Sequence, residues 1–182
     1  MLVGNEPELQ SGPLVIVVMA GLPGTGKSVL ARELAARVSG SILSKDEIRH
    51  TLFEARDVEY SREQDDFCME VMLQTAAYIL SRHPDRIVFL DGRTFSRREQ
   101  LQRVVNYADG LSQPWRILEC VCSEATAKAR LESQKDHPAE NRDFELHRRV
   151  RERFEKIDFP KTLLDTDQPL DVCVQRALLA LR

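Results

Sequence analysis

Apolar runs and amphipathic stretches alternate along the chain. Leu14 to Ala20 (Leu-Val-Ile-Val-Val-Met-Ala) is continuously apolar, rich in β-branched residues and bounded by Pro13 and Gly21. A strand buried on both faces of a parallel sheet has this pattern. From Lys27 to Val38 the spacing changes: Leu30, Leu34 and Val38 recur every four residues and Gly40 stands just past the end. This predicts an amphipathic helix with a glycine stop. Ser41 to Ser44 predicts a short second strand. In Ser44-Lys-Asp-Glu47 a serine and a glutamate three residues on satisfy each other's free amides at a helix start, so Asp46 falls at a strand-to-helix junction.

The alternation continues. Ser61-Arg-Glu-Gln64 opens a long helix closing near His83-Pro84, with Phe67, Val71 and Tyr78 beside Cys68, Met72 and Ile79 on one broad apolar face. Arg86 to Asp91 is a third strand ending on an acid before Gly92, and Ser96-Arg-Arg-Glu99 predicts a capped helix running to about Ala108. Trp115 to Cys122 is a fourth strand with Ser123 as exit cap, and Ala125 to Gln134 the helix after it. Lys135 to Arg142 has no apolar period and predicts a loop, followed by a charged helix from about Asp143 to Lys156. Thr162 to Thr166 gives a fifth strand and Leu170 to Leu181 a last helix, with Val172, Leu178, Leu179 and Leu181 for burial. Five strands alternating with helices predict an α/β fold, a parallel sheet covered on both faces with ligands at the carboxyl ends of the strands.

Composition narrows this. At 182 residues, with 42% hydrophobic and 30% charged residues, the chain is expected to form one domain over 1–182. Lys and Arg total 26 against 29 Asp and Glu, a formal charge of -3, which argues against a large basic surface for duplex nucleic acid. No apolar run reaches the roughly 18 residues of a membrane helix, and Met1 to Pro13 has neither the basic region nor the apolar core of a signal peptide, so it reads as a loose leader. The four Cys, including Cys120 and Cys122 in an apolar run, lack metal-ligand spacing and read as buried thiols in a reducing compartment, with the cytoplasm expected.

Gly21-Leu-Pro-Gly-Thr-Gly-Lys-Ser28 matches the phosphate-loop pattern G-x-x-x-x-G-K-[ST] in the context the pattern requires, a buried strand before it and an amphipathic helix after it. Gly21, Gly24 and Gly26 let the backbone wrap until its amides point at phosphate oxygens, and the helix that follows adds the positive end of its dipole. The expected nucleotide contacts run from Gly21 through Leu22, Pro23, Gly24, Thr25, Gly26, Lys27 and Ser28 to Val29. Lys27 would reach the β- and γ-phosphates, and the Ser28 hydroxyl would hold Mg²⁺.

Other candidates surround this loop. Asp91 ends the third strand where a metal-binding acid would stand, although a strand-ending Asp is also a common turn residue. Arg93 follows in Asp-Gly-Arg, placed either to hold an anionic substrate group or to stay solvated. Asp46 is positioned for an acceptor hydroxyl, but a helix dipole alone also favours an acid there. Around the charged loop, Arg148, Arg149, Arg151 and Arg153 interleave with Glu145, Glu152 and Glu155, the pattern of a solvated ion-paired helix. Arg130 and Arg142 flank the loop, a mobile lid over about 135–145, and are the candidates for a cation delivered to a transferring phosphoryl group. The chain has neither N-K-x-D for guanine nor G-x-S-x-G for a hydrolase nucleophile.

Three blocks make the chain resemble the P-loop small-molecule kinases, the group of gluconate, shikimate and adenylylsulfate kinases related to zeta toxins and polynucleotide 5'-hydroxyl kinase domains. They are Gly21 to Ser28, then Leu43-Ser-Lys-Asp-Glu-Ile-Arg49, similar to the family's S-x-D-x-x-R, and Val88-Phe-Leu-Asp-Gly-Arg-Thr-Phe95, similar to its strand-ending acid block. The resemblance implies a P-loop NTPase three-layer fold with sheet order 2-3-1-4-5, a short lid after strand 4, ATP with Mg²⁺ as donor and a small-molecule hydroxyl as acceptor. It also implies Asp46 as the substrate-orienting base and Arg49 as a substrate contact, with Asp165-Thr-Asp167 flanking the adenine. Two other readings stand beside it: a polynucleotide 5'-hydroxyl kinase, whose single strand needs only a small groove, and a nucleotide-hydrolysing regulatory switch.

Overall fold

The computed structural model describes residues 16–133 and 143–182. Its centre is a parallel sheet of five strands: β1 (Ile16–Ala20), β2 (Gly40–Ser44), β3 (Ile87–Asp91), β4 (Trp115–Val121) and β5 (Thr162–Asp165). They lie in the order β2-β3-β1-β4-β5, as the three blocks imply. The helices between them are α1 (Lys27–Arg37), α2 (Lys45–Leu52), α3 (Arg62–Arg82), α4 (Arg98–Gly110), α5 (Glu124–Ser133), α6 (Phe144–Glu152) and α7 (Leu170–Ala180).

All five residues of β1 are fully buried, which the unbroken apolar run requires. Alternate residues point to opposite faces: Ile16, Val18 and Ala20 pack with residues of α3 and α4, whereas Val17 and Met19 pack with α1 and α7. The fold is therefore three-layered, with helices on both faces of the sheet.

The helices bury part of the expected apolar positions, among them Leu30, Leu34, Cys68, Met72 and Leu181, and turn others outward. α3 turns Cys68, Met69, Met72, Leu73, Ala76 and Leu80 inward, leaving Phe67 and Tyr78 exposed. Phe67 instead meets Phe53 edge-on at 5.8 Å between ring centroids. α7 buries Cys173, Val174 and Ala177 while Val172 and Leu179 face outward, since small side chains allow close approach to the sheet.

Two boundaries move for tertiary reasons. α4 begins at Arg98, with Arg97 rather than Ser96 at the cap position: Phe95 adopts φ 52° with its ring buried, and the Ser96 carbonyl accepts the Glu155 amide at 2.9 Å. α6 ends at Glu152 because the chain turns to place Phe154 and Ile157 against the core. No helix among the described residues is long and apolar enough to cross a membrane. The expected leader at 1–13 and most of the expected lid lie outside the described residues.

Candidate functional site

The carboxyl end of β1 runs into the glycine-rich loop and then α1. Gly21 has φ +132°, and a Cβ there would sit 2.3 Å from the Cys120 carbonyl oxygen, so the loop passes against β4 only because this residue lacks a side chain. The Gly21 amide donates to the Thr94 carbonyl at 3.1 Å, tying the loop to the segment after β3. Lys27 is buried, and its Nζ donates to the carbonyls of Gly21 and Leu22 at 2.8 Å each. The Thr25 hydroxyl donates to the Leu22 carbonyl at 2.8 Å. The loop thus holds its own shape around the N-terminus of α1, a geometry that suits an anion.

Sheet register supplies the acids. Ser44 pairs with Asp91 at the ends of β2 and β3, so α2 starts beside the end of β3. Ser44 caps α2 by accepting the Glu47 amide at 3.4 Å. Gly92, at φ +85°, is required for the close approach, since a Cβ would lie 2.9 Å from the Lys45 amide nitrogen. Asp91 is buried, and its Oδ1 has no hydrogen-bond partner among the described residues. A cavity of about 120 Å³ is lined by Ser28, Asp46 and Asp91 among others. A hydroxyl and an orphaned carboxylate oxygen in one small cavity fit a hard divalent cation.

Beside this cavity is a charged network. Asp65 bonds Lys45 Nζ at 2.7 Å and also the Arg49 guanidinium. Asp46 lies 3.5 Å from Lys45 and 3.4 Å from Arg49. Burial pushes the Asp65 carboxyl up, but the neighbouring Lys45 and Arg49 charges outweigh it and hold Asp65 below the usual carboxylate range. Arg49, 1% exposed, also bonds Gln64 at 3.1 Å and stacks 5.2 Å from the Tyr60 ring centroid. Lys45, Asp46, Arg49, Tyr60 and Asp65, with Arg93 and the loop residues Lys27 and Ser28, line a cavity of about 310 Å³. Arg93 is buried there and pairs with Asp66 at 2.7 Å.

A second cavity of about 330 Å³ lies across the loop, against Gly26, Ser28, Val29, Arg130, Thr166 and Leu170. The Arg130 guanidinium donates to the Thr166 carbonyl at 2.7 Å, to its hydroxyl at 3.0 Å and to the Gly24 carbonyl at 3.5 Å. It is thus fixed beside the loop on α5, where the sequence pattern suggested a cation carried in by a moving lid. Arg142 lies outside the described residues. In α6, Arg148 pairs with Glu145 at 3.1 Å and Arg151 with Glu124, as expected of a solvated ion-paired face. Burial pushes the Cys120 thiol up to about 12, and the described cysteines are all free.

Sequence pattern did not single out Lys45, Asp65 or His147. Lys45 and Asp65 come from different helices and meet only in the fold. His147 Nδ1 lies 2.8 Å from the Pro23 carbonyl oxygen, and its ring stacks on Phe144 at 5.4 Å. The one available signal was an aromatic three residues before a histidine on an otherwise charged helix.

Solved structures share this architecture. A gluconokinase from Sinorhizobium meliloti 1021 superposes with TM-score 0.68 at 18% identity, covering 93% of this chain and 91% of that one. Kti12 from Chaetomium thermophilum, in complex with ADP-AlF3, gives TM-score 0.67 at 17% identity, covering 92% and 99%. The Mycobacterium tuberculosis APS kinase CysC, in complex with AMPPNP and APS, gives 0.64 at 15%, covering 93% and 97%. At such identities the likeness is one of fold, and it is a kinase-like P-loop fold. No curated protein matches the sequence. A family model described as an AAA domain, AAA_33, matches residues 16–157, a span holding the phosphate loop, Asp46, Asp91 and Arg130, and the chain belongs to that family of P-loop domains.

Proposed function

We propose that this protein is an ATP-dependent phosphotransferase whose acceptor is the hydroxyl of a small molecule. The observation that carries the reading is the arrangement of the cavities of about 310 and 330 Å³ on either side of the loop. One lies against Gly26, Val29 and Arg130, the other against Asp46, Arg49 and Arg93, and Ser28 of the phosphate loop lines both. A donor nucleotide and a separate acceptor would meet at that residue. A hydrolytic switch has no need of the second cavity.

In this reading the loop amides and Lys27 hold the phosphates, and Arg130 fixes the loop's Gly24 side against Thr166. Ser28 and Asp91 would hold Mg²⁺, which when bound neutralises charge on the phosphates. Asp46, oriented by Lys45 and Arg49, accepts the proton of the acceptor hydroxyl as its oxygen bonds to the γ-phosphorus and the bond to the β-phosphate oxygen breaks. Arg49 and Arg93 position the acceptor, and ADP leaves. The fold family's nucleotide-bound members, Kti12 with ADP-AlF3 and APS kinase with AMPPNP, support a nucleotide donor. The chemistry, together with the expectation of Cys thiols kept reduced, fits a cytoplasmic enzyme.

The test is ADP release from ATP with and without added hydroxyl compounds. A phosphotransferase releases ADP in step with phosphorylated acceptor. Equal release without any acceptor would establish a switch instead.

A further inference from the structure

Two carbonyl groups of the phosphate loop are held by side chains from distant parts of the chain. His147 of α6 is 3% exposed, and its Nδ1 donates to the Pro23 carbonyl at 2.8 Å. Thr166, just past the end of β5 and 7% exposed, places its hydroxyl 3.0 Å from the Thr25 carbonyl oxygen and 3.1 Å from that of Val121. A hydroxyl has one proton to give. The Val121 carbonyl already accepts the Thr166 amide at 2.8 Å, and the hydroxyl oxygen accepts from Arg130 at 3.0 Å, so the proton goes to Thr25. The two bonds span 124 and 141 residues.

Each carbonyl fixes the group across its own peptide plane. The loop's peptide bonds are trans, and in a planar trans unit the C=O and the N–H that follows it point in opposite directions. The Pro23 carbonyl shares its plane with the Gly24 amide, and the Thr25 carbonyl shares its plane with the Gly26 amide. With the oxygens held by α6 and by the end of β5, both N–H groups are turned away from those anchors. Neither amide donates to a backbone carbonyl among the described residues, whereas the Thr25 amide between them turns back to the Leu22 carbonyl at 3.4 Å. A glycine-rich backbone has little intrinsic resistance to rotation of these planes. The two anchors supply it.

Resting on the reading above that this loop holds the phosphates of a nucleotide, we infer that His147 and Thr166 are positioning residues for it: each fixes one peptide plane, so that the Gly24 and Gly26 amides already face the phosphates when the nucleotide arrives. Donors set in advance cost no reorganisation at binding or at transfer. Both side chains act through the loop.

The chain has eight glycines, so protein labelled with ¹⁵N-glycine gives a small set of amide signals to follow by nuclear magnetic resonance as Mg²⁺ and ADP are titrated in. His147→Phe keeps a ring against Phe144 but gives no proton, and His147→Asn restores a donor. Thr166→Val and Thr166→Ser are the corresponding pair. In the wild type the Gly24 and Gly26 amide protons should both move downfield as ADP binds. His147→Phe should abolish the Gly24 shift and spare that of Gly26, and Thr166→Val should do the reverse. By calorimetry each should weaken ADP binding at least about tenfold, the weight of one hydrogen bond to a charged group, while the Asn and Ser variants stay within about threefold of the wild type. General loosening of the loop would alter both signals together. That pattern, or both shifts retained in the Phe and Val variants, overturns the proposal. Should either variant fail to fold, the wild type with the Asn and Ser variants decides: both shifts present support the assignment, and ADP bound with either amide unmoved overturns it. Failure of the wild type to bind ADP at all removes the nucleotide reading itself, and this inference with it.

Discussion

The Nδ1 atom of His147 on α6 lies 2.8 Å from the carbonyl oxygen of Pro23 in the phosphate loop, and the histidine is buried. Because a carbonyl only accepts, Nδ1 carries the proton. This bond joins two segments 124 residues apart, and Leu146 and Val150 of the same helix form part of the acceptor cavity wall. α6 thus fixes the nucleotide loop and closes the acceptor side together. His147→Leu leaves a buried carbonyl unsatisfied, and should lower stability by about 1–3 kcal/mol. His147→Asn retains a donor on the same branch and should recover most of that loss together with ATP affinity. Thermal unfolding and calorimetric ATP titration of both variants check this.

Lys27→Ala removes a charge that would contact the phosphates in ground and transition states alike. ATP affinity should fall at least about tenfold and turnover further, while the sheet stays folded. Unchanged affinity by calorimetry together with unchanged turnover would remove the phosphate loop from the site.

Asp46→Asn keeps the size and the place at the start of α2 but removes the basic oxygen. Phosphoryl transfer should fall on the order of 10² to 10⁴ with ATP affinity nearly unchanged. If Asp46 serves only the helix dipole, the same change costs under about 1 kcal/mol and leaves transfer intact. Acceptor phosphorylation and melting temperature, measured on this one variant, separate the two.

Arg130→Ala takes away the bonds to Thr166 and Gly24. A positioning role predicts a raised ATP KM and a lower melting temperature, with kcat within about threefold. Direct action on the transferring phosphoryl group would instead cost 10³ or more in kcat. Steady-state kinetics decide, with Arg142→Ala assayed in parallel.

Asp65 gives a pH signature. Its carboxyl is depressed in the folded state, so between that value and the unfolded pKa of about 3.9 the unfolded chain binds more protons. The stability it contributes is present in full above the unfolded value and is lost as pH falls through the folded one. Asp65→Asn should flatten that part of the acid-unfolding profile and cost about 1–3 kcal/mol at pH 7, because Lys45 and Arg49 lose one of the two acids they share while Asp46 remains. An unaltered acid profile would show that the network contributes nothing.

The order of strands and helices, the phosphate loop and the strand-ending acid were legible along the chain because each depends on local spacing. An unbroken apolar run such as Leu14 to Ala20 has to be covered on both faces, and glycines at fixed offsets before Lys27 shape a phosphate-sized loop wherever they occur. Ser44 and Ser61 mark helix starts through bonds that reach only three residues. Tertiary structure alone decided which side of each helix faces the sheet, so Phe67 and Leu179 point to solvent although their neighbours are buried. It also decided the start of α4, where the buried ring of Phe95 and the carbonyl of Ser96 are claimed by distant segments. The charge pattern of the acceptor cavity belongs to the same level. Lys45 stands on α2, Asp65 on α3, and Arg93 and Arg97 on the segment between β3 and α4, and whether a charge is answered depends on distances of a few ångströms that parallel strand pairing and helix packing set and that spacing along the chain does not encode.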